Sequence, residues 1–313
     1  MIRCWLRFAM PAALQLQQRL QNRMSIHPGH DTFWGIEGNK IEGDIYGNGA
    51  RTALLLDSGG ETRHAWCATA RRLAECGFTA IAVDQRGHGT SDWMDGGAYA
   101  LEDYGRDAVL LGREIEQRFG SRPAAIGASL GGLTALYALG QDVCSSALVL
   151  VDVTPRVEAS GVAQRDFMRV RATDGFVSID EAAELVAAYL PHRTKQRSTD
   201  GLRKNLTRRA DGALVLALGP SLLGGPRSVH AADDALHDRL EEIARNLTVP
   251  TLLVRCGSSD VVLSRTPKDS ANSGRMRKSL MLAVPVTWSP GTRMTCLLAP
   301  SWASWGGARM AAT

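Results

Sequence analysis

The sequence lacks any apolar run long enough to cross a membrane, and its longest apolar runs have the length of strands. A membrane-spanning helix needs about 20 consecutive, mostly apolar residues, so an integral membrane protein is excluded. The six cysteines are scattered, without a C-x-x-C pair or the spacing of metal ligands. That pattern excludes a disulfide framework and a zinc site. We therefore expect a soluble globular protein of the reducing cytoplasm that binds no metal.

Acidic residues are nearly absent from the two ends of the chain. Residues 1–23 contain four arginines and no acid, and residues 262–313 contain seven lysines or arginines and the single acid Asp269. The ends therefore carry +4 and +6, and since the whole chain carries +4, residues 24–261 carry −6. A nucleic-acid surface needs a basic stripe on the folded body. We therefore expect no nucleic-acid partner.

Strand-sized apolar runs alternate with helix-sized segments along the chain. Five runs are nearly continuously apolar, as in buried parallel strands, and cover residues 52–56, 79–83, 124–128, 147–151 and 251–254. Residues 40–46 alternate apolar and polar side chains, which predicts a half-buried edge strand. Three segments that end before a glycine, as helices often do, cover residues 61–76, 101–119 and 131–139. The alternation predicts an α/β fold, a doubly wound and mostly parallel sheet with helices on both faces.

The regular alternation stops between Asp152 and Pro250 and resumes with the run at residues 251–254. Within this break, Ser178 and Glu181 have the spacing of a capping box, at the start of a helix that runs to Leu190. We therefore expect a helical cap inserted over the carboxyl edge of the sheet. The chain divides into an extension (residues 1–23), a first part of the core (24–152), the helical cap (153–246), a second part of the core (247–262) and an aberrant or disordered tail (263–313).

The motif that carries chemistry is G-x-S-x-G, with Ser129 at its centre. It directly follows a strand-like run and directly precedes a helix-compatible stretch. A serine in a sharp strand-to-helix turn needs small neighbours, and the turn lifts its hydroxyl above the sheet edge at the amino terminus of the helix. The alternative is a glycine-rich turn whose serine only caps the helix. The flanking strand and helix favour a nucleophile.

Two further motifs accompany this one. Residues 84–91, Asp-Gln-Arg-Gly-His-Gly-Thr-Ser, and residues 54–60, Leu-Leu-Leu-Asp-Ser-Gly-Gly, each follow or include a predicted strand. Together with the G-x-S-x-G turn, they give residues 40–262 a resemblance to the α/β-hydrolase family. The resemblance implies a cofactor-independent serine hydrolase, similar to bacterial esterases and to the haloperoxidase-like hydrolases called non-haem peroxidases. An aspartate nucleophile, as in epoxide hydrolases of this fold, is excluded because serine occupies the turn.

The resemblance assigns roles to individual residues. Ser129 would attack the carbonyl of a small-molecule substrate, and the backbone N–H groups of Gly59 and Leu130 would form the oxyanion hole. The acid of the catalytic triad would be Asp260, after the run at residues 251–254, with Asp152 as the alternative position. No cofactor and no metal would take part.

One position departs from the family pattern. The family's usual His-Gly pair in the oxyanion loop is replaced here by Asp57 and Ser58. A carboxylate beside a developing oxyanion would be unfavourable, so this half of the oxyanion hole is expected to differ from the family.

A second departure is the missing base. The family order is serine, acid and then histidine, yet no histidine follows Asp260 in the chain. The histidines are His27, His30, His64, His88, His192, His230 and His237. His88 lies between two glycines of the second motif, where the resemblance implies a structural turn residue rather than a base. The chain as written cannot complete a triad in the expected order.

The tail suggests a reason for this absence. Past Val262 the sequence loses its acids and gains three of the seven tryptophans and four of the nine methionines, as in translation out of frame. The codons for residues 284–297, displaced by two nucleotides, can encode Ala-Gly-His-Met-Val-Ala-Gly-Asp-Gln-Asn-Asp-Val-Phe, which resembles the family's terminal histidine loop. We therefore expect the last strand and helix of the fold to be missing or aberrant. The alternative function is a catalytically silent α/β-hydrolase fold that binds a small ligand, or a defective product.

Overall fold

The computed structural model describes residues 28–156, 175–189, 199–222, 227–228, 234–256 and 279–284. The predicted extension, most of the predicted tail, Asp260 and three of the seven histidines lie outside these residues.

The described residues form one eight-stranded sheet and a separate two-stranded hairpin. The strands are β1 (Gly29–Trp34), β2 (Lys40–Tyr46), β3 (Arg51–Leu56), β4 (Phe78–Val83), β5 (Ala124–Ala128), β6 (Ala147–Val151), β7 (Leu206–Arg208), β8 (Leu214–Leu216), β9 (Thr251–Cys256) and β10 (Ser279–Val284). The large sheet has the order β1-β2-β4-β3-β5-β6-β9-β10. Only the β1–β2 and β2–β4 pairs are antiparallel. The predicted doubly wound, mostly parallel sheet is confirmed.

Helices cover both faces of this sheet. Those among the described residues are α1 (Cys67–Glu75), α2 (Leu101–Phe119), α3 (Leu130–Gln141), α4 (Ile179–Tyr189), α5 (Asp200–Arg203) and α6 (Asp234–Asn246). Leu54 and Leu56 of β3 belong to the hydrophobic cluster that also contains buried residues of α2, α3 and α6. Leu55 belongs to the cluster on the other face, with Leu73 of α1. Burial of each leucine side chain contributes roughly 1.5–3 kcal/mol to folding.

Two strand predictions need correction. The predicted edge strand, residues 40–46, lies inside the sheet, because β1 pairs along its outer side with the register Gly29↔Ile45 to Trp34↔Lys40. The last strand, expected to be missing or aberrant, is present, since β10 pairs in parallel with β9 from Ser279↔Thr251 to Val284↔Cys256. Its five apolar residues, 280–284, form a run as long as those of the predicted strands, but the unusual composition around them led to their assignment to the tail. The helix expected after it lies outside the described residues.

The cap contains a hairpin as well as helices. Ser178 caps α4 as predicted, since its hydroxyl accepts the Glu181 N–H at 3.1 Å. The Glu181 carboxylate accepts the N–H of Val177 at 2.7 Å, one residue before the partner that a capping box would have. The β7–β8 hairpin was not expected, because its strands have only three residues each. Helix α6 falls within the segment assigned to the cap, yet its Leu240 and Ala244 join the main core.

Hydrogen bonds join this hairpin to two loops of the core. The Asn205 side-chain oxygen accepts the Thr62 N–H at 3.2 Å and the Thr62 hydroxyl at 3.0 Å. On the other side, the Gly89 N–H donates to Ala217 O at 2.8 Å, and the N–H of Gly219 donates to Gly87 O at 2.8 Å. Both core loops follow strands whose carboxyl ends lie at one edge of the sheet, so the cap hairpin is fixed to that edge.

A buried ion pair holds the second of these loops. The Arg86 side chain has no exposed surface, and its Nε and Nη2 donate to the two oxygens of Asp107 at 2.6 and 2.7 Å. Its Nη1 donates to Ala98 O at 2.9 Å. Two charge-assisted bonds in a fork are stronger and more directional than neutral hydrogen bonds.

Removing this arginine is expected to destabilise the protein strongly. Arg86→Ala leaves the Asp107 carboxylate buried without its charge partner, and such losses typically cost about 3–5 kcal/mol. Chemical denaturation of the variant measures this cost as a lower midpoint. The control is Arg122→Ala, which removes an exposed pair with Glu116 and is expected to leave the midpoint nearly unchanged. Equal midpoints for the two variants would contradict the assignment.

Candidate active site

Four loops converge at the carboxyl edge of the sheet. Because β3, β4, β5 and β6 run parallel, the segments that follow them emerge on the same side. These segments contain Gly59 after β3, His88 after β4, Ser129 after β5 and Asp152 after β6. In open α/β sheets, ligand sites lie at this edge.

Ser129 occupies a strained turn between β5 and α3. Its φ of 47° and ψ of −114° are unusual for a residue with a side chain. A Cβ on Gly127 would lie 2.2 Å from the carbonyl carbon of Gly131, and a Cβ on Gly131 would lie 2.4 Å from Leu56 O. Both glycines of the motif are therefore required by close backbone contacts. The turn leaves Ser129 exposed to solvent at the first turn of α3.

Asp152 lies beside this turn. The Ser129 N–H donates to Val151 O at 3.3 Å, so the end of β6 adjoins the serine. Asp152 follows directly, with a φ of 52°, and its own N–H donates to Val254 O at 2.8 Å. The structure thus places the alternative triad acid next to Ser129, whereas Asp260 lies outside the described residues.

The two predicted oxyanion-hole residues lie close to each other. A Cβ on Gly59 would be 3.9 Å from the Cβ and Cδ2 atoms of Leu130, which is van der Waals contact. A Cβ on Gly131 would lie 2.5 Å from Asp57 O, so the start of α3 approaches the backbone of the loop after β3. We call residues 57–62 the oxyanion loop. Its backbone and that of the Ser129 turn form one tight junction.

Asp84 links the oxyanion loop to the turn after β4. Its carboxylate accepts the Arg63 backbone N–H at 2.6 Å and the Thr90 N–H at 3.1 Å, and it also bonds the Arg63 guanidinium. Burial and the carboxylates of Asp84 and Asp44 act on the Arg63 guanidinium, and the net result is a raised pKa. Arg63 therefore stays charged and holds the end of the oxyanion loop in place.

Asp57 does not present a carboxylate to the oxyanion hole. Its side chain is fully buried, and its Oδ1 accepts the Gln85 Nε2 group at 2.7 Å. Burial, reinforced by the nearby charge of Asp84, raises the pKa of Asp57 well above its ordinary value, against the lowering effect of the Gln85 hydrogen bonds. The raised pKa disfavours the negative charge that the sequence led us to expect here.

His88 is enclosed within the turn after β4. Its ring is fully buried, and its Nδ1 lies 3.0 Å from Arg86 O. Burial lowers the pKa of His88 to about 4. The neutral ring makes an edge-on contact with Tyr104, at 6.3 Å between ring centroids. These contacts support the expected structural role.

Within the part of the chain that the structure describes, no histidine is hydrogen-bonded to Ser129. In the same residues, no three side chains are arranged to hold a metal ion, and no helix is long and apolar enough to span a membrane.

Sequence reasoning missed two polar residues of this region, Gln85 and Asn205. Gln85 occupies the x of the D-x-R-G motif, where any residue is allowed, so the motif predicts no role for it. Asn205 lies in the cap with no motif around it, and only the fold brings it to Thr62.

The chain is similar to known proteins. A family model described as serine aminopeptidase, S33, matches residues 50–279. The esterase Rv0045c of Mycobacterium tuberculosis is 29% identical over 247 residues, which are 77% of this chain and 76% of that protein. The 2-(acetamidomethylene)succinate hydrolase of Mesorhizobium japonicum is 31% identical over 216 residues, covering 68% of this chain and 71% of that protein.

Solved structures show the same fold. The crystal structure of E-2-(acetamidomethylene)succinate hydrolase matches with a TM-score of 0.64 and 24% identity, over 82% of this chain and 91% of that one. An α/β hydrolase of Novosphingobium aromaticivorans matches with a TM-score of 0.66 and 21% identity, over the same shares. With the family model spanning most of its length, the chain belongs to the α/β-hydrolase superfamily, in the S33 serine aminopeptidase family, and is a hydrolytic enzyme.

Proposed function

We propose that this protein is a cofactor-independent serine hydrolase that cleaves a small ester or related carbonyl substrate. The observation that carries the proposal is Ser129, an exposed serine held at a φ of 47° between a buried strand and a helix. Such strain persists only where surrounding structure enforces it, and it concentrates at functional sites. The names of the related esterase and 2-(acetamidomethylene)succinate hydrolase support this class of substrate.

The proposed chemistry assigns one step to each of these groups. The Ser129 hydroxyl oxygen attacks the carbonyl carbon while a base takes its proton, and the negative charge passes to the carbonyl oxygen. The N–H groups of Leu130 and Gly59 donate to that oxygen. The leaving group departs with the proton, and water then hydrolyses the acyl-serine by the same steps. An acid, Asp260 or Asp152, orients the base.

We propose that the base is the histidine encoded in the displaced frame. β10 runs parallel to β9, so its carboxyl end, Val284, lies at the sheet edge that carries Ser129. In the displaced frame, a histidine codon can arise from the codons of Val286 and Thr287, two residues after this strand end. Such a histidine would follow the chain directly from the edge at which a base is needed.

Covalent labelling tests the nucleophile. A fluorophosphonate probe is expected to form an adduct on Ser129. We call the protein translated in the displaced frame beyond β10 the displaced-frame form. Its labelling is expected to be faster than that of the chain as written, because a base activates the serine. Peptide mass spectrometry locates the adduct. The matched control is Ser146→Ala, which removes an exposed serine before β6, at the opposite edge of the sheet, and is expected to keep the label. An adduct elsewhere, or none in either form, would contradict the proposal.

A further inference from the structure

Asp57 is a buried acid that the proposed Ser129 chemistry does not use. It has no exposed surface, and it stands where the oxyanion loop leaves β3. Its Oδ1 accepts from Gln85 Nε2 at 2.7 Å, and its backbone oxygen accepts from the same nitrogen at 2.9 Å. Among the described residues, its Oδ2 has no hydrogen-bond partner. One amide thus holds both the side chain and the backbone of Asp57.

The groups that face Asp57 offer no compensating charge. Its own loop contributes Glu61, which is 2% exposed, and the end of β4 contributes Asp84, which has no exposed surface. Helix α2 contributes the Tyr104 phenol, 1% exposed. Two cations lie in this region, and both are engaged elsewhere. The hydrogen bonds of Arg63 go to Asp44, Asp84 and Thr90. Those of Arg86 go to Asp107 and to Ala98 O. Ionised Asp57 would therefore be a buried charge among acids, which is unfavourable unless it is paired.

The position of Asp57 couples it to the oxyanion hole. A Cβ on Gly131 would lie 2.5 Å from the backbone oxygen of Asp57. The oxyanion loop and the Ser129 turn are therefore in close backbone contact. Gly59 follows two residues later and contacts Leu130. A displacement of Asp57 therefore changes the distance between the two N–H donors of the proposed hole.

We propose that Asp57 is a positioning residue that fixes the base of the oxyanion loop through Gln85, and that the loop loosens at alkaline pH, when Asp57 becomes a buried charge beside Asp84 and Glu61. Its effect on catalysis rests on the proposed function, whereas its effect on stability does not. In this chain, the acid takes the place of the histidine that the family has in this loop.

Thermal unfolding between pH 5 and pH 9 tests the proposal on the chain as written. An unfolded aspartate ionises near pH 4, whereas folded Asp57 keeps its proton to higher pH, so the native protein loses stability as the pH rises above 4. Asp57→Asn keeps an acceptor for Gln85 and removes the titration. Its Tm advantage over the native chain is expected to grow by about 3–6 °C from pH 5 to pH 9. The exposed control Asp95→Asn is expected to show a constant difference.

A constant Tm difference for Asp57→Asn would mean that Asp57 titrates alike in the folded and unfolded chain, and this would overturn the proposal. Asp57→Leu, which is also uncharged but cannot accept from Gln85, is expected to unfold at a lower temperature than Asp57→Asn at every pH. Equal values for the two variants would show that the Gln85 bond does not position the loop.

The catalytic arm uses the displaced-frame form. Its kcat for an ester is expected to fall on the alkaline side by about tenfold per pH unit, with KM little changed, while Asp57→Asn stays flat. If kcat is independent of pH on the alkaline side for both the displaced-frame form and its Asp57→Asn variant, the proposed effect of Asp57 on catalysis is wrong. If no form turns over substrate while the Tm pattern holds, the proposed function fails and the structural role of Asp57 stands.

Discussion

Translation of the displaced frame beyond β10 is expected to raise kcat/KM for p-nitrophenyl acetate by about 10³- to 10⁶-fold over the chain as written. The physical reason is the base. Without a histidine, the Ser129 hydroxyl keeps its proton during attack, and only the oxyanion hole and substrate binding accelerate the reaction. The measurement is steady-state hydrolysis by both purified forms at neutral pH.

The amino acids of β10 are compatible with the same displacement. Displaced by two nucleotides, the codons for residues 276–285 can encode Ala-Glu-Val-Val-Asp-Val-Gly-Gly-Ala, which leads directly into Gly-His-Met. Glu-Val-Val-Asp-Val is strand-like, with two adjacent valines and a third at its end, and it overlaps Ser279–Val284. The segment that forms β10 can therefore be a strand in either frame. Only the displaced frame can encode a histidine directly after it.

The matched control is the displaced-frame form with its new histidine codon changed to alanine. This control is expected to return to the level of the chain as written, because it restores the strand but not the base. Equal turnover by the control and the displaced-frame form would place the base elsewhere. Coding DNA that sustains only the written frame would favour the silent, ligand-binding fold.

Ser129→Ala in the displaced-frame form is expected to lower kcat/KM by about 10³- to 10⁶-fold. The variant loses the nucleophile while the oxyanion loop, held by Asp84 and Gln85, stays in place. Substrate binding is therefore expected to persist, so the loss falls on kcat rather than KM. Initial rates over a range of ester concentrations separate the two constants.

A conservative variant checks this interpretation. Ser129→Cys keeps a nucleophile at the same strained position and is expected to form a covalent adduct with an activated ester, with slower release. Combining Ser129→Ala with the histidine deletion is expected to cost no more than either change alone, because the two residues act as a unit. Additive losses would contradict the shared mechanism.

Much of the core could be predicted from local pattern. The runs at 124–128 and 147–151 match β5 and β6 because strands buried on both faces are continuously apolar. The segment at 101–119 matches α2, which ends at Gly120 in the left-handed conformation. The placement of Ser129 followed from its motif and its flanking elements together. These features depend on residues that are close together in the sequence, so a single sequence is enough to predict them.

Other features depend on contacts that are distant in sequence. The interior position of β2 is decided by β1, whose mixed sequence Gly-His-Asp-Thr-Phe-Trp shows no strong strand pattern. The raised pKa of Asp57 depends on its burial and on the nearby charge of Asp84, which lies at a neighbouring strand end. The sequence shows an acid at this position, and only the burial that the fold imposes disfavours its charge.

The way in which the cap hairpin is attached limits which cap segments can be exchanged between related hydrolases. Asn205 at one end and residues 217–219 at the other fasten it to the oxyanion loop and to the turn that contains His88. The loop between the hairpin strands, residues 209–213, makes none of these bonds. Grafts confined to the hairpin tip therefore leave the oxyanion loop anchored, whereas a transplanted whole cap needs its own partners for Thr62, Gly87 and Gly89. The cap hairpin and these two loops therefore form one hydrogen-bonded structural unit.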